Sequence, residues 1–208
     1  MGEERKLTRL GFTKEAFREG THVCQIFSDD EERSVALNAF LLAGLQGGER
    51  TGCFLSDKKE PVGLRALMRE FDLDLEALQA EDRFRLLDSR EVYFKDGHFD
   101  GRFDPSQPFG VFTRLREEAL KVGCSVRVMG EMSPEVGRFE GGQPLVRYEQ
   151  ALSLFLQQKP MTIVCQYDAA AFHGAVIMDV LKVHPMMVLG GEVIHNPFYV
   201  PPNGSLSN

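Results

Sequence analysis

The sequence predicts an α/β fold, a three-layer arrangement in which a mostly parallel sheet carries helices on both faces. Short apolar runs of strand length alternate with longer segments of helical periodicity, the order that produces parallel strands joined by crossover helices. One of these runs, Met161 to Tyr167, is nearly unbroken in its apolar character, as expected of a strand covered on both sides. A length of 208 residues suits one such core and leaves little room for a second.

The elements follow in order. Residues 1–20 are polar and charged and read as an N-terminal extension or docking arm, with a short amphipathic helix around Leu7 to Phe17. A first strand runs from His22 to Phe27. Ser28-Asp29-Asp30-Glu31-Glu32 then supplies the cap and acidic first turn of a helix that Gly47-Gly48 stops. Thr51 to Leu55 is a strand, Pro61 to Phe71 a helix with Pro at its start, Leu75 to Leu78 a short helix and Phe84 to Leu87 a strand. Tyr93 to Pro108 reads as a long loop rich in Gly, Asp, Pro and Phe, of the kind that covers sites. A helix from Phe109 to Val122, a strand from Ser125 to Met129 and a helix from Leu145 to Gln157 follow. After the strand at Met161 to Tyr167 come a helix from Gly174 to Val183 and one or two closing strands between Met186 and Tyr199. The main domain is therefore expected over 21–200, with a flexible tail over 201–208.

Composition excludes several classes. A net charge of −7 argues against a nucleic-acid surface, which rests on clustered Lys and Arg. No segment approaches the roughly 18 apolar residues of a membrane span, and the start lacks a signal-peptide core, so a cytoplasmic location is expected. Cys24, Cys53, Cys124 and Cys165 form no CxxC pair and are expected as free thiols, each in or beside an apolar run.

Where a phosphate-binding fold places a glycine-rich loop ending in Lys and Ser or Thr, this chain has Phe27-Ser28-Asp29-Asp30-Glu31-Glu32-Arg33-Ser34. The stretch has no glycine and no lysine, and four carboxylates would repel a triphosphate there. No nucleotide is expected, and ATP hydrolysis by that route is disfavoured. A cation held by Asp29, Asp30 and Asp57 is an alternative to plain helix capping.

In sheets of this type ligands bind beyond the carboxyl ends of the strands. That rule directs attention to Glu131 and to Tyr167-Asp168. Glu131 could face a ligand, or pair with Arg127; Asp168 could bond a ligand or cap the next helix. His22 and Cys24 alternate onto one face of their strand, and Cys165 and Tyr167 do the same on theirs. If the two strands are neighbours, His22, Cys24 and Cys165 converge as soft ligands for a metal ion, with Glu131 or His184 completing the set. The alternative is that the thiols are core packing, that Glu149 is a buried or paired acid, and that His184 caps its helix. Tyr93, Phe94, Phe99 and Phe103 could form an aromatic lid or simply anchor their loop. No nucleophile elbow or catalytic triad is recognisable.

Spread in order from His22 to Pro201, the pieces His22-x-Cys24-x-x-Phe27, Leu41-x-x-Gly44-Leu45, Gly48-Glu49, Tyr93 with Gly97-x-Phe99-Asp100, Gly130-Glu131-Met132, Tyr148-Glu149, Cys165-x-Tyr167-Asp168, His184-Pro185 and Asn196-Pro197-x-Tyr199 resemble the MEDS family, the methanogen/methylotroph DcmR sensory domain. The chain departs from the family pattern after Met132, where Ser133-Pro134 stand in place of an aromatic. The resemblance implies a RecA-like sheet, related to circadian-clock ATPase domains, whose phosphate loop has degenerated. It implies a sensor of small organic molecules such as hydrocarbon derivatives. The residues read as candidates for a ligand crevice are His22, Cys24, Tyr93, Glu131, Cys165, Tyr167 and Asp168, and the resemblance implies a signalling partner such as a histidine kinase or transcription regulator, reached in trans. A homodimer is compatible with it. A residual nucleotide-binding or metal-dependent enzyme, and a ligand-free protein-interaction regulator, are the competing readings.

Overall fold

The computed structural model describes residues 5–56, 60–99, 103–104 and 106–201. Asp57, Asp100 and the expected flexible tail beyond Pro201 lie outside the described residues. The chain opens with β1 (Leu7–Arg9) and β2 (Ala16–Arg18), then β3 (His22–Phe27), α1 (Asp30–Gln46), β4 (Arg50–Leu55), α2 (Leu64–Glu70), α3 (Leu75–Ala80) and β5 (Phe84–Asp88). It continues with α4 (Ser89–Tyr93), α5 (Ser106–Leu120), β6 (Val126–Glu131), α6 (Pro134–Arg138), α7 (Gln143–Gln158), β7 (Thr162–Asp168), α8 (Gly174–Val183), β8 (Met186–Leu189) and β9 (Glu192–His195).

Seven strands form one sheet in the order β5-β4-β6-β7-β3-β8-β9, parallel throughout except for the closing β8–β9 hairpin. Both faces are covered, which explains why the central strands are buried along nearly their whole length. On one face Cys24, Phe54, Val128, Ile163, Cys165 and Tyr167 pack against α5, α7 and α8. On the other, Val23, Cys53, Leu55, Met129 and Val164 pack against α1, α2 and α3. The alternation of strand residues between the two cores is the period of two expected of a sheet between helix layers.

Two local expectations are overturned. Residues 7–18 form a two-stranded antiparallel hairpin, not a helix. Its turn needs Gly11 at φ +96, where a Cβ would lie 2.1 Å from the Ala39 carbonyl oxygen of α1. Leu10 is fully buried in the second core, so this segment packs as part of the domain. The long loop is also shorter than its composition suggests. Asp88 caps α4 by accepting from Arg90 N at 2.9 Å, and Tyr93 ends that helix. Tyr93, Phe94 and Phe103 are buried in ring contacts with Tyr148 and Phe99, so these aromatics join the core.

Candidate functional site

The residues singled out in the sequence divide between the two ends of the sheet. Glu131 and Asp168 stand at the carboxyl ends of β6 and β7. There Glu131 pairs with Arg33 of α1 at 3.2 Å, and Arg33 also reaches Asp30. Arg127, considered as the Glu131 partner, lies on the same face of β6 but four residues nearer its amino end, where it pairs with Glu49 instead. Asp168 accepts from Ala170 N at 2.8 Å in a tight turn and does not cap α8, whose N-cap is His173. Between β3 and α1 the connection is only Ser28-Asp29. Asp29 accepts from Glu32 N at 2.8 Å, and Glu32 Oε2 accepts from Ser28 N at 3.2 Å. The helix start is thus satisfied by reciprocal capping.

His22, Cys165 and Tyr167 meet on the other core, beneath α7 and α8, with His22 at the amino end of β3. β3 and β7 are hydrogen-bonded neighbours with Cys24 opposite Cys165. His22 Nε2 lies 3.4 Å from Cys165 Sγ. The remaining members come from outside the strands. Glu149, on the apolar stripe of α7 between Leu145 and Leu152, places Oε2 3.2 Å from His22 Nε2 and 3.4 Å from His184 Nε2. Among the described residues, His22, Glu149, Cys165 and His184 form a group whose donor atoms all lie within 4.8 Å of one another, and all four side chains are buried. Cys24 stands beside this group with its Sγ–H toward the Met186 carbonyl at 3.7 Å. Tyr93 lies farther along the same face, edge-on to Tyr148, its hydroxyl fitted over Gly130, where a Cβ would sit 3.2 Å away.

A fully buried carboxylate requires compensation. Burial alone would raise Glu149, but the imidazoles of His184 and His22 outweigh it and hold the group down at about 2. Tyr167 O–H donates to Glu149 Oε1 at 2.5 Å. Burial, then the neighbouring His184, lowers His22 to about 4, so His22 is a neutral imidazole at neutral pH. Burial, then the Glu149 charge, pushes the Cys165 thiol well above its ordinary value, and its S–H faces Glu149 Oε2 at 3.8 Å. His184 Nδ1 lies 2.8 Å from the Val180 carbonyl, which can only accept, so that nitrogen carries a proton. His184 Nε2 faces Glu149 Oε2 at 3.4 Å and has no aligned hydrogen-bond partner.

The cluster has a way out. Ser153 Oγ sits 2.9 Å from His22 Nδ1, and both residues form the floor of an open groove of about 650 Å³ walled by Phe17, Met186, Ile194 and Tyr199. The groove lies at the amino ends of β3 and β8, opposite the end where an open α/β sheet usually holds its ligand. Glu149 and His184 are the members of the cluster that the strand pattern did not supply. The signal for Glu149 was a carboxylate at helical spacing with Leu145, Leu152 and Leu156.

Comparison with known proteins fits this architecture. No curated protein matches the chain. Among solved structures, the chain is similar to a KaiC-like protein from the hyperthermophilic archaeon Pyrococcus horikoshii OT3, with a TM-score of 0.58 and 14% identity over 88% of this chain and 80% of that one. At that identity the likeness is one of fold, a RecA-like α/β sheet. The family model described as MEDS, MEthanogen/methylotroph, DcmR Sensory domain, matches residues 21–185. The chain belongs to this family of sensory domains.

Proposed function

We propose that the chain is a non-catalytic sensory domain that takes a small organic molecule into the groove over His22 and passes its occupancy in trans to a signalling protein. The observation that carries this reading is the groove itself. It is open to solvent, lined by apolar Phe17, Met186 and Ile194 together with polar Arg5, Glu15 and Gln157, and floored by a histidine that belongs to a buried ionised cluster. A molecule seated there would touch His22 and Ser153 directly, and through them Glu149 and α7. The phosphate corner, by contrast, is occupied by Asp29, Glu32 and Arg33 bonding to one another and to their own helix.

The test is thermal unfolding in the presence of a panel of small organic molecules, beside native mass spectrometry of the same mixtures. A ligand at 100 times its dissociation constant stabilises the folded chain by about 2.7 kcal/mol. Ser153→Phe, which fills the groove floor, should abolish that stabilisation while leaving the circular dichroism spectrum unchanged. ATP turnover lost in Glu131→Gln would replace the proposal with the enzymatic reading. A chain that responds to nothing in the panel yet binds a kinase or transcription regulator would replace it with a ligand-free regulator.

A further inference from the structure

We infer that His22, Glu149, Cys165 and His184 form a closed, four-coordinate site for a borderline divalent transition ion, with zinc the best fit. The inference goes beyond the sensory reading and does not depend on any organic ligand.

Three observations carry it. The first is spacing. A tetrahedral zinc site with ordinary bond lengths has edges of about 3.4 Å between nitrogen and oxygen and about 3.6 Å where sulfur takes part. The cluster shows 3.2 and 3.4 Å from Glu149 Oε2 to the two imidazoles, 3.4 Å from His22 Nε2 to Cys165 Sγ, and 3.8 Å from that sulfur to Glu149 Oε2. Four of the six donor–donor distances are thus close to those of a zinc tetrahedron, and all six lie within 4.8 Å.

The second observation is the support behind three of the four ligands. A metal-binding histidine is normally oriented by a bond from its other nitrogen, and a metal-binding carboxylate by a donor to its second oxygen. His184 Nδ1 is tied to the Val180 carbonyl, His22 Nδ1 to Ser153 Oγ, and Glu149 Oε1 to the Tyr167 hydroxyl. Every one of these bonds leaves the inner atom free for the ion. His184 Nε2 has no aligned hydrogen-bond partner, although the residue is fully buried.

Charge is the third. Two neutral imidazoles, one carboxylate and one thiolate neutralise a divalent ion, so the loaded cluster carries no net charge in a core that solvates charge poorly. Binding releases the Cys165 thiol proton to solvent as the S–M bond forms, with no change of oxidation state. The thiolate and imidazoles select zinc and its neighbours over magnesium or calcium, which prefer oxygen ligands. Four buried protein donors leave no vacant corner, the pattern of a closed site.

The experiment uses the full chain, stripped with chelator under reducing conditions and titrated with Co(II) alone. The expected result is one equivalent bound with the intense visible bands of tetrahedral cobalt and a thiolate charge-transfer band, all displaced by zinc. Cys165→Ser, a nearly isosteric change, should lose the charge-transfer band. Tyr167→Phe, which removes the support of Glu149, should weaken binding about 10-fold. A wild-type chain that takes up no Co(II), or whose bands persist unchanged in Cys165→Ser and His184→Asn, overturns the inference. The titration contains no organic molecule, so it can fail while the groove still binds one, and it can succeed when the groove binds none.

Discussion

Replacing Arg127 with alanine should be among the most damaging single changes in the protein. Arg127 is 1% exposed at its place on β6. Its guanidinium makes a two-pronged pair with Glu49 at 2.9 and 2.6 Å, donates to the Phe40 carbonyl at 2.9 Å, and bonds the Thr8 hydroxyl. It also lies 4.8 Å over the Phe40 ring. Gly44 of α1 makes room for it, since a Cβ there would come within 2.4 Å of Arg127 Cδ. Removing one partner of a buried pair strands the other charge and costs about 3–5 kcal/mol. With a urea slope of about 2 kcal/mol/M, a loss of about 4 kcal/mol lowers the unfolding midpoint by about 2 M. The double replacement Arg127→Met with Glu49→Leu removes both charges. It should cost about 1–3 kcal/mol, because only the Phe40 carbonyl and the Thr8 hydroxyl are left without Arg127. Urea titrations followed by far-UV circular dichroism read both values. A midpoint for Arg127→Ala within about 0.5 M of the wild type, or a double variant less stable than the single one, would refute the assignment of this pair as the fastening between β6, α1 and the N-terminal hairpin.

Three further outcomes can be checked on the same instrument. Leu10→Ala should cost about 2–5 kcal/mol, since Leu10 is fully buried; a change below about 1 kcal/mol would return residues 1–20 to the status of a loose extension. Gly137→Ala should destabilise by about 1–3 kcal/mol, because the new methyl would meet the Phe172 ring at 2.3 Å and push it toward Tyr167; an unchanged midpoint would show that the ring yields freely. The Asp82 carboxyl is held below its ordinary value by hydrogen bonding to Arg85, and both oxygens of the carboxylate take part. A depressed carboxyl contributes stability that is present above its unfolded value, near 4, and is lost as pH falls through the folded one. Asp82→Asn, which tolerates the φ of +56 there, should therefore lower stability at neutral pH and flatten the loss on acidification; parallel acid profiles in the two proteins would remove the pair from the account.

The sheet was legible because its central strands are long apolar runs between helices, and both signals are local. His22 and Cys24 were readable as a shared face for the same reason, as were Cys165 and Tyr167. Their convergence was conditional on β3 and β7 being neighbours, a fact of chain topology that no window of sequence contains. Cys24, two residues from His22 and paired with Cys165, looked the natural third ligand, yet it bonds the Met186 carbonyl while Glu149 and His184 close the cluster. Those two arrive on α7 and at the end of α8, and which face of a helix meets which strand is decided by packing. The hairpin over 7–18 escaped because strands of three residues are too short to show a period.

The location of the cluster is the deeper lesson. The rule that open α/β sheets bind ligands beyond the carboxyl ends of their strands depends on a connection wide enough to admit one. Here the β3–α1 connection is Ser28 and Asp29, both engaged in capping, and Arg33 closes the neighbouring corner on Glu131. With those polar groups committed, the buried titratable cluster stands toward the amino ends, where His22 begins β3 and His184 precedes β8. A fold that keeps the RecA-like sheet while capping its phosphate corner leaves its function to be sought at the other end, in the groove over His22 and the charged group behind it.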